Sequence, residues 1–415
     1  MRRVPLDLDR ILATPVTGDT AGAPPGADTT VGEVGGQGWM LRDLAPPVVT
    51  LRRSAIEQNL AAMSRWITSH GVGLFPHGKT TMAPQLWDLQ LDAGATGITA
   101  ATPAQVRAMR GAGVHRVMLA NELVDEAAIA WVARELEDEG WDLSCWVDSV
   151  DGVERLAAVL RSRGAGRPLP ALVEVGHEGG RTGARTVDEA LHVAQAVDRA
   201  PELRLRGVAG YEGTIGHDRS PQTIAAVDAF LGTIELVAER MLAAAIADRS
   251  ITVTAGGSLY FDRVAELLTD AFDGDGAVDV VIRSGCTITH DHGQYMRNTP
   301  LPDAFRPAID VWGSVLSRPE PGVVVIGAGK RDVPYDIDPP VPLEMRDDDR
   351  SLAGLEVTRL MDQHAICRSP RDVVLSPGDV VRFGVSHPCA AFDRRRVLFV
   401  LDDDDAVVGA VATLF

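Results

Sequence analysis

Only two of the 40 basic side chains in this 415-residue chain are lysines, Lys79 and Lys330; the rest are arginines. A guanidinium stays protonated and forms no imine, whereas an amine with a lowered pKa acts as nucleophile and base. A lysine that persists against so strong a drift towards arginine is a candidate for chemistry that arginine cannot do. Lys79 stands in Phe75-Pro76-His77-Gly78-Lys79-Thr80-Thr81, where Pro and Gly suit a strand ending in a tight turn. The same residues also suit an ordinary surface loop. A second pattern is Ser386-His387-Pro388-Cys389. Residues two apart on an extended chain share a face, so an imidazole and a thiolate there can reach one ion, zinc above all. A lone His-x-Cys is more often a buried structural pair. His290-Asp291-His292 imitates a metal cluster but is expected to be a loop crossing between domains, and Lys330, in GAGKRD, is expected in a hairpin turn.

The elements that must hold these residues are written as alternating runs. PVVTL, GLFPHG, TGITAA, RVMLAN, LSCWVD, ALVEVG, RLRGVAGY and ITVTAG are short and apolar, bounded by Gly, Asp or Pro. Longer helical stretches, such as DEAAIAWVARELEDEG and SVDGVERLAAVLRSRG, separate them. That alternation predicts βαβ units and a parallel sheet. Eight such runs predict an α/β fold, a (β/α)8 TIM-type barrel over residues 47–298, with functional side chains at the C-terminal ends of its strands. Lys79 then falls at the barrel mouth. After about residue 300, GVVVIGAG, GLEVTRLM, DVVRFGVS and RRVLFVLDDD succeed one another through turns, which predicts a β-rich domain over 299–415. Residues 1–46, rich in Gly, Pro and Thr, are expected as a partly flexible segment packed with that β-domain. The acidic clusters EMRDDDR and LDDDDA are expected as solvated turns.

Composition narrows the function. The chain is 45% apolar and 24% charged, the balance of a soluble globular protein. A net charge of −18 argues against a general binder of nucleic acid or anionic membrane. No apolar run reaches the roughly 20 residues of a membrane span, and MRRVPLDLDR lacks the apolar stretch of a secretory leader. Cys145, Cys286, Cys367 and Cys389 are widely spaced without a CxxC pair, which fits a reducing cytoplasm. A cytoplasmic enzyme is the expectation.

FPHGKT, with APQLWDLQLDAGATGITAATPAQV after it, resembles the R-P-H-x-K-T segment of the D-serine dehydratase and D-threonine aldolase family, the alanine-racemase-like (fold type III) pyridoxal-phosphate enzymes. The resemblance runs from about residue 47 to about 402, although Phe75 replaces the arginine commoner there. It implies that Lys79 is the lysine joined to pyridoxal 5'-phosphate. VEVGHEGGRTGA resembles V-D-x-G-x-x-R-T-G, implying Arg181 beside the cofactor's phenolic oxygen. GVAGYEGTIGH resembles the Y-x-G segment and implies Tyr211 at the pyridine nitrogen, where a neutral phenol leaves the ring a weaker electron sink than a carboxylate would. TAGGS resembles the phosphate cup: the N–H groups of Gly256 and Gly257 and the Ser258 hydroxyl would hold the phosphate at a helix start, where the dipole favours an anion. Taken alone, Gly-Gly-Ser before a helix is only a helix start. In the resembled family a histidine with a partner two residues on holds a metal, the partner being cysteine in the dehydratases and aspartate in the aldolases. His387 and Cys389 are thereby implied as metal ligands, with zinc ahead of manganese. His364, in MDQHAIC, falls where the family has an E-E-H-G-like stretch, but Asp362 and Gln363 replace the acidic pair.

The resemblance implies a pyridoxal-phosphate- and metal-dependent lyase. It would convert a D-configured β-hydroxy amino acid to a 2-oxo acid and ammonia, with Lys79 taking the α-proton and the metal holding the β-hydroxyl. The nearest rival is retro-aldol cleavage to glycine and an aldehyde. A racemase usually needs a tyrosine on the opposite face, and Tyr211, Tyr260, Tyr295 and Tyr335 lie in no obvious motif for it. A non-catalytic pyridoxal-phosphate carrier leaves the β-domain and its His-x-Cys unexplained. A small amino acid and a second copy of the chain are the implied partners.

Overall fold

The computed structural model describes residues 5–244, 246, 250–272, 276–371 and 373–415. The chain divides into two units, one of residues 64–79 and 91–285, the other of 5–63, 80–90 and 286–415.

In the first unit eight parallel strands alternate with helices along the chain. They are β1 (Gly73–Leu74), β2 (Ile98–Ala100), β3 (Arg116–Glu122), β4 (Asp142–Val147), β5 (Leu169–Val175), β6 (Leu203–Gly210), β7 (Ile251–Ala255) and β8 (Val278–Ile282). Neighbours pair in the order β1-β8-β7-β6-β5-β4-β3-β2. The ends meet through the residues just after β1. Thr99 N–H donates to Pro76 O at 3.0 Å and Gly78 N–H donates to Thr99 O at 2.8 Å, so the sheet closes into a barrel. Side chains fill its interior in layers, as in Phe75, Met118 and Val281, and again in Trp146, Leu172 and Ala209. Strands β6 and β7 approach so closely at Gly207 that a Cβ there would lie 1.9 Å from Thr252 O. Helix starts come soon after strand ends because polar caps stop one and begin the other. Asp125, Ser149 and Thr186 each accept an N–H of the first turn of Glu126–Glu135, Val150–Ser162 and Val187–Arg199.

The second unit is built on a nine-stranded sheet. Its centre is the strand Val48–Arg52, which pairs antiparallel with Ile309–Glu320 and parallel with Val397–Leu401. PVVTL, expected as the first barrel strand, belongs to this sheet, and the barrel instead takes VDVVI as its eighth strand. Both runs are apolar and short. Pairing partners far away in sequence, which no local pattern records, decide which sheet each joins.

Residues 5–45 pack with this unit, as expected, and form regular structure that their composition did not suggest. Pro15–Thr17 and Asp28–Thr30 pair as a hairpin, and Ile11, Val16, Val31, Val34 and Leu41 are buried with Trp312 and Phe399 in a core of the second unit. The Gly/Pro content suggested mobility, but the spaced apolar side chains supply enough burial to order the segment. Among the described residues no helix is long and apolar enough to cross a membrane.

Candidate functional site

The C-terminal ends of the barrel strands carry Lys79, Arg181, Tyr211 and a set of acidic residues. Half-buried Lys79 lies in the turn after β1. His77, two residues earlier, has a buried Nδ1 with no hydrogen-bond partner. Burial, aided by the Lys79 and Arg283 charges, holds this imidazole well below its usual range, so it is neutral. Beyond β5 the Arg181 guanidinium carbon stands 4.7 Å from the centre of the Tyr211 ring, which comes just after β6. The three residues that motif comparison assigned to one cofactor thus come from one end of one barrel, and Arg181 and Tyr211 touch.

At the end of β7 the structure departs from the simple phosphate cup. The Gly256 and Gly257 N–H groups donate to the two oxygens of Glu212, at 3.0 and 2.6 Å. The anion on this pair is therefore a buried carboxylate of the chain itself, and a phosphate would take these donors only in exchange for Glu212. Gly257 is needed for the close fit, since a Cβ there would lie 3.0 Å from the Tyr211 ring. Ser258 lies in the same turn, ahead of the helix Phe261–Ala271.

Sequence reasoning missed four further groups here. Arg283, just after β8, is buried over Trp146 at 4.8 Å and donates to Thr254 Oγ1 and Gly210 O, both at 2.6 Å. Burial lowers its pKa to about 10, with Glu212 and Glu174 opposing the shift, so it keeps its charge. Glu122, Asp148 and Glu174, at the ends of β3, β4 and β5, bring carboxylate oxygens within 4.8 Å of one another. Burial first, then the neighbouring Glu174, pushes Glu122 up to about 8. The acidic side chains at three successive strand ends were the available signal. A cavity at the other end of the barrel is lined by Arg116, Asp142, Arg206 and Asp279. It lies among strand starts, on the face where barrels carry stability rather than chemistry.

The second unit holds a different cluster. His387 and Cys389 come after the strand Val380–Gly384, as expected, and the structure adds Cys286. The two sulfurs are 3.4 Å apart, and one ligand atom from each of the three residues lies within 4.8 Å of the others. His387 Nδ1 is 2.6 Å from Asp336 Oδ2, which leaves Nε2 for the sulfurs or an ion. Burial would lower the His387 pKa, but the Asp336 carboxylate and the Cys286 sulfur outweigh it and push it up to about 10. The adjacent Cys389 sulfur, and burial, push the Cys286 thiol up. The Thr80 hydroxyl lies 3.4 Å from Cys286 Sγ and 3.2 Å from Cys389 Sγ.

The remaining candidates are placed elsewhere. His290-Asp291-His292 is no metal cluster: Asp291 Oδ1 accepts the N–H groups of Gly293, Tyr295 and Met296, and His290 stacks on Phe305. It lies within the second unit. His364 is exposed at the tip between Glu356–Leu360 and Ala365–Arg368. Lys330 lies in a turn with its ammonium 5.5 Å from the centre of the Tyr335 ring.

The residues fit both groups that the resemblance implies. For pyridoxal phosphate there are a half-buried amine, an arginine–tyrosine pair, an orphaned buried imidazole nitrogen and an amide pair already holding an anion. For a borderline-soft metal there are two sulfurs and an oriented imidazole.

Comparison with known proteins agrees with this geometry. The family model described as "Alanine racemase, N-terminal domain" matches residues 51–262, and "Putative serine dehydratase domain" matches residues 308–401. A D-threonine aldolase of Arthrobacter sp is 27% identical over 359 residues, 86% of this chain and 89% of that protein. The crystal structure of D-threonine aldolase from Filomicrobium marinum superposes with a TM-score of 0.78 at 24% identity, covering 91% of this chain and 97% of that one. D-threo-3-hydroxyaspartate dehydratase from Delftia sp. HT23 does so with a TM-score of 0.74 at 22% identity, covering 90% and 99%.

Proposed function

Because the chain belongs to the alanine racemase N-terminal-domain family of fold type III pyridoxal-phosphate proteins, we propose that it is a lyase of D-configured β-hydroxy amino acids, working with pyridoxal phosphate and a divalent metal, and that its products are a 2-oxo acid and ammonia. The observation that carries this reading is the second unit's sulfur–imidazole cluster, joined in one chain to a barrel whose mouth holds Lys79, Arg181 and Tyr211. Thr80, whose hydroxyl meets both sulfurs, is the next residue after Lys79 in the chain. The relatives named as D-threonine aldolase and D-threo-3-hydroxyaspartate dehydratase support the substrate class.

When bound, pyridoxal phosphate supplies an electron sink and the metal supplies Lewis acidity towards the substrate's β-hydroxyl. Lys79 would hold the cofactor through its amine, and the same amine, when free, would remove the substrate's proton at Cα. Arg181 and Tyr211 would orient the ring, and His77, held neutral, adds no second positive charge beside Lys79. Lys330, the other lysine, is the control for the lysine's role. His387 and Cys389 would hold the metal, and Asp336 orients the imidazole by accepting from Nδ1. A β-hydroxy amino acid that loses its α-proton and β-hydroxyl, in sum one water, gives a free enamine, and water hydrolyses this to the 2-oxo acid and ammonia.

Retro-aldol cleavage is the second reading, and the Arthrobacter relative favours it. There the hydroxyl loses its proton, the Cα–Cβ bond breaks, and glycine and an aldehyde leave. Cys389, in place of the aspartate of the resembled aldolases, supports the dehydratase reading. A screen of D- and L-β-hydroxy amino acids with added zinc or manganese separates the two. Ammonia and 2-oxo acid from D-substrates support dehydration; glycine and aldehyde overturn it in favour of the aldolase.

A further inference from the structure

Resting on the metal reading above, we propose that Cys286 is a third protein ligand, so that the ion is held by Cys286, His387 and Cys389 with one coordination position left for substrate.

The three ligands come from two distant stretches that the fold brings together. Cys286 opens a 3-10 turn, Cys286–Ile288, and its carbonyl accepts His290 N–H at 2.7 Å, which fixes the turn. His387 and Cys389 enter and occupy another such turn, Pro388–Ala390. Cys286 is buried and Cys389 half-buried. A disulfide would need the sulfurs at roughly 2.0 Å. Zinc–sulfur bonds of roughly 2.3 Å at a tetrahedral angle would put them roughly 3.8 Å apart. The observed 3.4 Å is nearer the second value and is reached by a side-chain adjustment of a few tenths of an ångström. Two sulfurs this close repel if both ionise, and a divalent cation between them removes that penalty. The surroundings suit the same state. Asp336 accepts from His387 Nδ1 and presents Nε2, and the Thr80 hydroxyl is placed to donate to either sulfur.

The third ligand changes what the site selects. A His–Cys pair leaves several positions for water and substrate and accommodates ions that favour oxygen donors. Two thiolates and an imidazole complete three corners of a tetrahedron and select zinc over manganese. The substrate then meets the ion through a single oxygen, its β-hydroxyl, and its carboxylate must be held by the protein.

X-ray absorption on the full-length protein loaded with Zn2+, and the thiolate charge-transfer absorbance of its Co2+ form, count the sulfurs. Two sulfurs per ion are expected. Cys286→Ser should retain an ion with one sulfur, at least tenfold weaker zinc binding and a smaller preference over manganese. One sulfur in the unsubstituted protein, lost in Cys389→Ser but kept in Cys286→Ser, overturns the third ligand and leaves the metal reading standing. No ion at all, or an ion without sulfur, overturns both. The count on the unsubstituted protein decides the matter even if Cys286→Ser fails to fold.

Discussion

At the barrel mouth, Lys79, Arg181 and Arg283 stand among Glu122, Asp148, Glu174 and Glu212, each delivered by a different strand end or loop. In the second unit, two sulfurs and one imidazole converge from two turns, with Asp336 behind them. The mouth balances numerous opposite charges, of which Glu174, Glu212 and Arg283 are buried and Lys79 half-buried. The sulfur cluster is made of few groups, all of them soft or borderline donors. That is the donor set a borderline-soft ion would take. A site for a large organic cofactor is assembled from many weak contributions, whereas a metal site depends on every ligand.

Perturbing the two regions should expose that difference. The largest effect is expected from Lys79→Ala. It should lower turnover at least ~1000-fold and remove the visible absorbance of the loaded protein, while metal content, read by elemental analysis, stays the same. Loss of metal as well would merge the two regions. Asp336→Asn should weaken zinc binding about 10–100-fold, by competition with a chelator, and leave cofactor absorbance unchanged, because it removes only the partner that orients His387.

Glu212→Gln should destabilise the cofactor-free protein by about 1–3 kcal/mol in urea, since the NH2 that replaces one carboxylate oxygen cannot accept the glycine N–H now bound there. If Glu212 competes with the phosphate for these donors, the same variant should bind pyridoxal phosphate more tightly. Unchanged stability would show that the pair is not braced by the carboxylate.

The effect confined to one pH window concerns Glu122. Its carboxyl binds a proton more tightly folded, at about 8, than at its ordinary value of 4.5. The folded state therefore holds more protons between those values, and stability is lost as pH rises from about 4.5 to about 8. Glu122→Gln should flatten that slope in pH-resolved thermal melts of the cofactor-free protein. A slope identical to that of the parent would remove Glu122 as its source.

Much of the fold and the site is legible in the sequence, and the misses share one cause. Lys79, Arg181, Tyr211, His387 and Cys389 stand in short motifs whose chemistry is local. The barrel is legible as an alternation of strand and helix, but the membership of one strand is not. PVVTL and VDVVI are equally apolar, and only distant partners place the first in the nine-stranded sheet and the second in the barrel. With VDVVI unassigned, its C-terminal neighbours stay hidden too: Arg283 at the mouth and Cys286 in the cluster. Cys286 lies 103 residues from Cys389, a separation over which no motif can register a pair. Glu212 stands beside Tyr211 in plain view, but its competition with a phosphate depends on β6 and β7 being neighbours.

The most direct measurement is borohydride reduction of the protein loaded with pyridoxal phosphate, with peptide mapping of the tag afterwards. With only Lys79 and Lys330 present, the choice is nearly binary. The pyridoxyl group is expected on the peptide containing Lys79. A tag on Lys330, or no tag on either, contradicts the assignment of the barrel mouth as the cofactor site.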